Sequence, residues 1–118
     1  MGSARWNPAD WAAKSASTAT MSRSAIFSGG AMDKSLDPLN FKMRESCDSE
    51  FNPQSTPIII GCDVTGSMGE LAEIIVRRGL GTIMEEIYDR KPVTDPHIAL
   101  AAIGDVYCDD APFQVTQF

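Results

Sequence analysis

The stretch Pro57-Ile58-Ile59-Ile60-Gly61-Cys62-Asp63-Val64-Thr65-Gly66-Ser67 changes from wholly apolar to polar within a few residues. Its apolar part begins with three β-branched residues and has no polar interruption, which is typical of a strand buried on both faces. Strands of this kind belong to parallel sheets covered by helices, because a half-exposed strand alternates apolar and polar residues. We therefore predict a central, buried strand at Ile58–Cys62 in an α/β fold of three layers.

A helical pattern follows the polar turn and predicts a helix over residues 68–90. Glu73 and Arg77 stand four residues apart and are expected to pair on its outer face. Gly79 and Gly81 each cost a helix roughly 1 kcal/mol relative to Ala, so they mark close packing or a local break. Apolar residues recur at spacings of three and four at Leu71, Ile74, Ile75, Ile83, Met84, Ile87 and Tyr88.

Two more strands are predicted after this helix. Residues 98–103 form a second apolar run, and residues 113–118 alternate as a half-exposed third strand does. The resulting order, β-α-β-β, leaves a sheet with open faces and an open edge. We expect further sequence, or another chain, to complete the domain.

Residues 1–56 have a different character, with many Ser, Ala, Met, Asn and Asp residues and no sustained periodicity. We predict a flexible N-terminal arm and linker that contacts the core little, separate from the domain in residues 57–118. A short helix is expected over residues 7–14, with Asn7 as N-cap and Pro8 in the first helical position. In the alternative, the arm packs on a partner chain through its large aromatic residues Trp6, Trp11, Phe27 and Phe41.

The net charge of −6 belongs entirely to residues 57–118. An acidic surface repels phosphate backbones, so nucleic-acid binding is not expected. Three cysteines without metal-binding spacing indicate reduced thiols. No secretory signal and no apolar run of membrane length are visible, and the sequence predicts a soluble cytoplasmic protein.

Asp63, Thr65 and Ser67 alternate in the turn between the first strand and the helix. This turn lies at the carboxyl edge of the sheet, where ligands of open α/β folds bind. A tight turn at Gly66 would aim one carboxylate and two hydroxyls at one point, and these hard oxygen ligands suit Mg²⁺ or Mn²⁺. The structural alternative is a capping box of Ser67 with Glu70, preceded by a turn aspartate.

The segment Asp63-Val-Thr-Gly-Ser67 resembles the DxSxS metal-ion-dependent adhesion site (MIDAS) motif of von Willebrand factor A (VWA) domains, with Thr65 replacing the first Ser. The strand before it and the helix after it fit the same family, so the resemblance covers residues 57–118. The lead-in from Arg44-Glu45-Ser46 to Thr56-Pro57 also looks like that of phage and bacterial VWA-like proteins, which extends the expected location to host cytoplasm or a virion.

The resemblance implies that this chain holds the N-terminal portion of a Rossmann-like (VWA-like) three-layer α/β sandwich. It also implies a metal-dependent protein-binding module and not an enzyme. Asp63, Thr65 and Ser67 would then be ligands of a Mg²⁺ that accepts an acidic side chain from a protein partner. The family adds a Thr and an Asp from two later loops, which this chain does not include.

Other interpretations of these residues remain open. Asp105 follows the second strand and is a candidate for the outer shell of the metal, although a hydrated turn aspartate has the same sequence pattern. In a haloacid-dehalogenase-like or P-type-ATPase-like phosphotransferase, Asp63 would be the nucleophile and Gly104–Asp109 the metal motif. Val64 replaces the Lys of that motif. A third interpretation is a structural phage protein with a vestigial metal site.

Overall fold

The computed structural model describes residues 7–22, 25 and 32–118, and of Ser67 and Val76 the backbone only. Two of the aromatic anchors expected in the arm, Trp6 and Phe27, lie outside the described residues. The helices are α1 (Pro8–Ala19), α2 (Glu70–Ile74) and α3 (Leu80–Arg90), and the strands are β1 (Thr56–Asp63), β2 (Pro96–Ile103) and β3 (Phe113–Val115). Short 3₁₀ turns occupy Pro38–Asn40 and Gly66–Met68, and a π-helical segment occupies Ile75–Gly79.

Helix α1 begins where the sequence predicts. The Asn7 side chain accepts a hydrogen bond from the Ala9 amide at 3.0 Å, and Pro8 occupies the first helical position. The helix continues to Ala19, five residues beyond the predicted end. The Arg77 side chain, from the second half of the chain, binds the carbonyl oxygens at this end of the helix. The local sequence does not reveal this contact.

The three strands form one mixed sheet in the order β1-β2-β3. β1 runs parallel to β2, with Ile58 opposite Ile98, and β3 is antiparallel to β2. These pairings confirm the predicted α/β class and the β-α-β-β order. β3 is shorter than predicted, because regular pairing ends at Val115.

The prediction that Ile58–Cys62 forms the central strand is wrong for the sheet that the structure describes. β2 lies in the middle, where Ala99 and Ala101 are 1% and 4% exposed. β1 lies at the edge, and every second residue is exposed, including Ile59 at 65%. An apolar run indicates that the side chains of a strand are shielded from water. It does not indicate whether the strand has a neighbour on one side or on both.

The helical region 66–90 changes its winding several times and is not one regular helix. The π-helical segment Ile75–Gly79 separates α2 from α3. Gly81 faces α1, and a Cβ atom at this position would come within 2.9 Å of Trp11 Nε1. The two glycines thus mark a local break and a close contact, as the sequence predicts.

Parts of the N-terminal segment within residues 7–22 and 32–56 contact the second half of the chain, whereas the sequence predicts few such contacts. Arg77 binds the carbonyl oxygens at the end of α1. Arg77 and Glu73 form the predicted pair at 2.8 Å, but the Arg77 side chain is only 18% exposed, because it faces α1 and not solvent. The proposed boundary at residue 56 stays a prediction.

The lead-in to β1 is also attached to the sheet. Ser46 Oγ lies 2.8 Å from His97 Nδ1, and the His97 residue is 4% exposed. The His97 ring also contacts Phe118, with ring centroids 5.5 Å apart. Just before Ser46 in the chain, the Arg44 guanidinium lies 3.8 Å over the Phe41 ring. Within the described part of the chain, no helix has the length and apolar character needed to cross a membrane.

Candidate functional site

The ends of β1 and β2 meet at one edge of the sheet, because the two strands are parallel and in register. Asp63 lies opposite Ile103, and the Val64 amide donates to the Ile103 carbonyl at 2.9 Å. The turn after β1 and the loop after β2 therefore leave the sheet side by side. This is the carboxyl edge, at which open α/β sheets bind their ligands.

Asp63 and Thr65 form a closed turn at this edge. Asp63 Oδ1 accepts hydrogen bonds from the Thr65 amide at 2.9 Å and from Thr65 Oγ1 at 2.7 Å. The bond from the Thr65 amide, and to a lesser extent the bond from its hydroxyl, lowers the pKa of the exposed Asp63 carboxyl, because both favour the ionised form. Asp63 and Thr65 are therefore in direct contact, and their role as ligands of a cation stays a prediction.

The chain then makes one 3₁₀ turn before α2 begins. The turn spans Gly66–Met68, and the Met68 amide donates to the Thr65 carbonyl at 3.0 Å. The residue preceding α2 is Gly69, which has a φ of 50° and makes no side-chain capping bond. A capping box led by Ser67 is therefore wrong, because the helix starts too late for Ser67 to be its N-cap. Ser67 lies within the turn, and its role as a ligand stays a prediction.

Asp105 lies at the same edge, in the loop that follows β2. Its Oδ1 accepts from the amides of Tyr107 at 2.7 Å and Cys108 at 3.2 Å, while its own amide donates to Asp109 Oδ2 at 2.6 Å. A Cβ atom on Gly104 would approach Asp109 Oδ2 to 2.6 Å, so a larger residue there would have to displace the Asp109 carboxylate. The Asp105 carboxylate is thus directed into its own loop, and a place in an outer metal shell stays a prediction.

The sequence interpretation missed the structural role of Asp109, whose carboxylate accepts from the Asp105 amide and closes the loop. Aspartates in turns commonly accept hydrogen bonds from nearby backbone amides. The sequence Gly104-Asp105 followed by Asp109 could therefore have indicated a loop closed by such bonds. The loop presents two exposed side chains at its tip, Val106 at 70% and Tyr107 at 95%.

The ligand set at this edge consists of oxygen atoms. Among the described residues, no group of three or more His, Cys, Asp or Glu side chains is close enough to hold a metal ion. The predicted site has one carboxylate and two hydroxyls, so only one of its ligands belongs to these four residue types. The absence of such a group therefore does not test it. The chemistry of Asp63 and Thr65 fits a hard cation such as Mg²⁺ and does not fit a thiophilic metal.

Comparison with known proteins adds no assignment, since no family model, no curated protein and no solved structure matches the chain.

Proposed function

We propose that this chain is the N-terminal portion of a VWA-like domain that binds a protein partner through a divalent cation. Asp63, Thr65 and Ser67 would hold Mg²⁺ or Mn²⁺, and the partner would supply an acidic side chain to the same ion. The observation that carries the proposal is the pair of hydrogen bonds from Thr65 to the Asp63 carboxylate at the carboxyl edge of two parallel strands.

The position of β1 in the sheet is compatible with this fold. Doubly wound sheets reverse their strand order beside the first strand, and ligands bind at that switch point. The order β1-β2-β3 corresponds to one half of such a sheet, with the outer side of β1 as the place for the other half. The exposed residues of β1, such as Ile59, would then be covered by a second layer and a further strand.

The electrostatics of the turn also favour cation binding. Hydrogen bonds from Thr65 keep the pKa of Asp63 low, so the carboxylate is ionised at neutral pH. A hydroxyl that donates its proton to a carboxylate still offers lone pairs to a metal. With a single carboxylate among its ligands, the bound ion would retain positive charge and attract an acidic group from outside. When bound, the cation supplies this bridging interaction.

Binding is a better description of this site than phosphoryl transfer. Val64 stands where a phosphotransferase of the haloacid-dehalogenase-like type has Lys, and residues 57–76 and 92–118 contain no Lys or Arg. A transferred phosphoryl group is normally steadied by such cations. We therefore propose that the domain catalyses nothing.

A capture experiment tests this function. The tagged chain is incubated with an extract in the presence of Mg²⁺ or of EDTA, with Asp63→Asn as the test variant and Asp110→Asn as the control. We expect a partner that is retained only with Mg²⁺, by the parent and by Asp110→Asn. A partner held equally in EDTA would remove the metal from the mechanism. Phosphate release from a generic phosphatase substrate that Asp63→Asn abolishes would instead support the phosphotransferase.

A further inference from the structure

An apolar pocket lies between the sheet and the start of α3, next to the Asp63–Thr65 turn, since Cys62 and Val64 on either side of Asp63 line it. It has a volume of about 200 Å³. Three layers of the chain contribute to its wall, namely the sheet, helix α3 and the segment before the Pro38–Asn40 turn. The side chains that define it are Leu36, Cys62, Val64, Leu80, Leu100 and Val115.

The pocket offers little to a polar ligand. None of the described residues that line it carries a charge, and only Gln114 and Thr116 add polar side chains besides the Cys62 thiol. The Thr116 hydroxyl is already used within the fold, since it accepts from the Leu100 amide at 3.0 Å and donates to the Gln117 carbonyl at 2.8 Å. Ions, sugars and nucleotides would lose hydrogen bonds to water here without replacement, which costs several kcal/mol per group.

We propose that this pocket binds a small, uncharged, apolar molecule about the size of a substituted benzene. A protein cavity of about 150 Å³ lined by Leu, Ile and Phe stays dry and takes up benzene, so the present volume is sufficient. The pocket is smaller than the roughly 300–1,000 Å³ of sites for drug-sized ligands, so a small molecule is enough to fill it. The proposal does not rest on the metal site, because neither Asp63 nor Thr65 lines the pocket.

Cys62 reports directly on occupancy, because its thiol lines the pocket whereas Cys47 and Cys108 do not. Cys62 is only partly exposed, so its thiol should react more slowly with a maleimide than the exposed Cys108 does, even in the empty pocket. A molecule in the pocket would block access further. The test follows maleimide labelling of all three thiols by mass spectrometry of peptides from the full chain, with increasing toluene as the probe.

We expect saturable protection of Cys62 that reaches about tenfold when the toluene concentration is ten times its Kd. Cys47 and Cys108 should label at unchanged rates. Ala102→Leu adds volume to the pocket wall and should abolish protection, while Ala12→Leu, on the exposed side of α1, should preserve it. Protection absent in the parent, equal for all three thiols, or retained by a folded Ala102→Leu would overturn the proposal. If Ala102→Leu does not fold, labelling of the parent and of Ala12→Leu decides.

Discussion

The guanidinium Nη1 of Arg77 donates to the carbonyl oxygen of Thr18 at 2.6 Å, although the two residues lie 59 positions apart. Arg77 also donates to the carbonyls of Ala19 at 3.1 Å and Met21 at 2.5 Å, and to Glu73 at 2.8 Å. The last carbonyls of a helix have no partner within it, and a positive charge near them is favourable. Arg77 thus caps α1 from the neighbouring π-helical segment.

Arg77→Ala should destabilise the fold by about 2 kcal/mol, because several hydrogen bonds to a charged, largely buried group are lost. Amide exchange in residues 8–19 should accelerate at the same time. Arg90→Ala is the matched control, since Arg90 also pairs with a glutamate four residues away but is 77% exposed. An exposed pair of this kind contributes about 0–1 kcal/mol. Urea unfolding that gave equal losses for both variants would contradict the capping role.

Gly81→Ala and Gly79→Ala should have opposite effects on stability. A Cβ atom on Gly81 would lie 2.9 Å from Trp11 Nε1, so the indole must move, at a cost of about 1–3 kcal/mol. A Cβ atom on Gly79 meets its nearest neighbour, Ile75 Cβ, at 3.9 Å, and its gain in helix propensity is about 1 kcal/mol. Thermal unfolding of the two variants measures this difference. A stabilised Gly81→Ala would show that α1 does not pack on α3 as described.

Elements whose cause is local could be predicted from the sequence. The Asn7-Pro8 start of α1 depends on one capping side chain, and the apolar runs around Ile58 and Ile98 depend on β propensity and burial. The turn at Asp63 and Thr65 is local for the same reason. Each of these features is decided by residues within a few positions of one another.

Features that depend on distant residues could not be predicted. The contact between Arg77 and α1 joins the two halves of the chain, and the spacing of apolar residues in the sequence does not indicate it. The edge position of β1 depends on which strands are present beside it, and its apolar run is the same in either case. The capping-box interpretation of Ser67 failed because Gly69 adopts a positive φ, so that the helix begins only at Glu70. The spacing from Ser67 to Glu70 does not reveal this backbone conformation.

Ser46→Ala should destabilise the chain by about 1–3 kcal/mol, because it leaves the buried His97 Nδ1 without its partner. The loss should be accompanied by faster exchange in the lead-in before β1. Ser17→Ala is the control, since the Ser17 hydroxyl binds the Lys14 carbonyl on the exposed side of α1. If chemical denaturation gives the same midpoint for Ser46→Ala and the parent, the lead-in is not attached to β2 through His97.

Thr65→Ala should raise the pKa of Asp63 towards its ordinary value, but only part of the way, since the larger contribution from the backbone amide remains. Because the pKa is lowered in the folded chain, the turn adds stability above the ordinary aspartate pKa and loses it as the pH falls through the folded-state value. Carboxyl-detected NMR of the titration measures the shift. Thr65→Ser should restore the parent value, and Thr82→Ala, whose hydroxyl binds the Arg78 carbonyl, should leave Asp63 unchanged. Equal titration curves for Thr65→Ala and the parent would remove this bond from the explanation.

The most direct test of the metal site is a Mn²⁺ titration of the full chain followed by two-dimensional amide NMR. Paramagnetic broadening reports even weak binding, residue by residue. We expect the amide signals of Thr65, Gly66 and Ser67 to broaden first, and EDTA to restore them. Asp63→Ala should abolish the effect, while Asp110→Ala should preserve it. Broadening that is spread evenly over the acidic loops, or that is the same in Asp63→Ala as in the parent, would rule out a metal site at this turn.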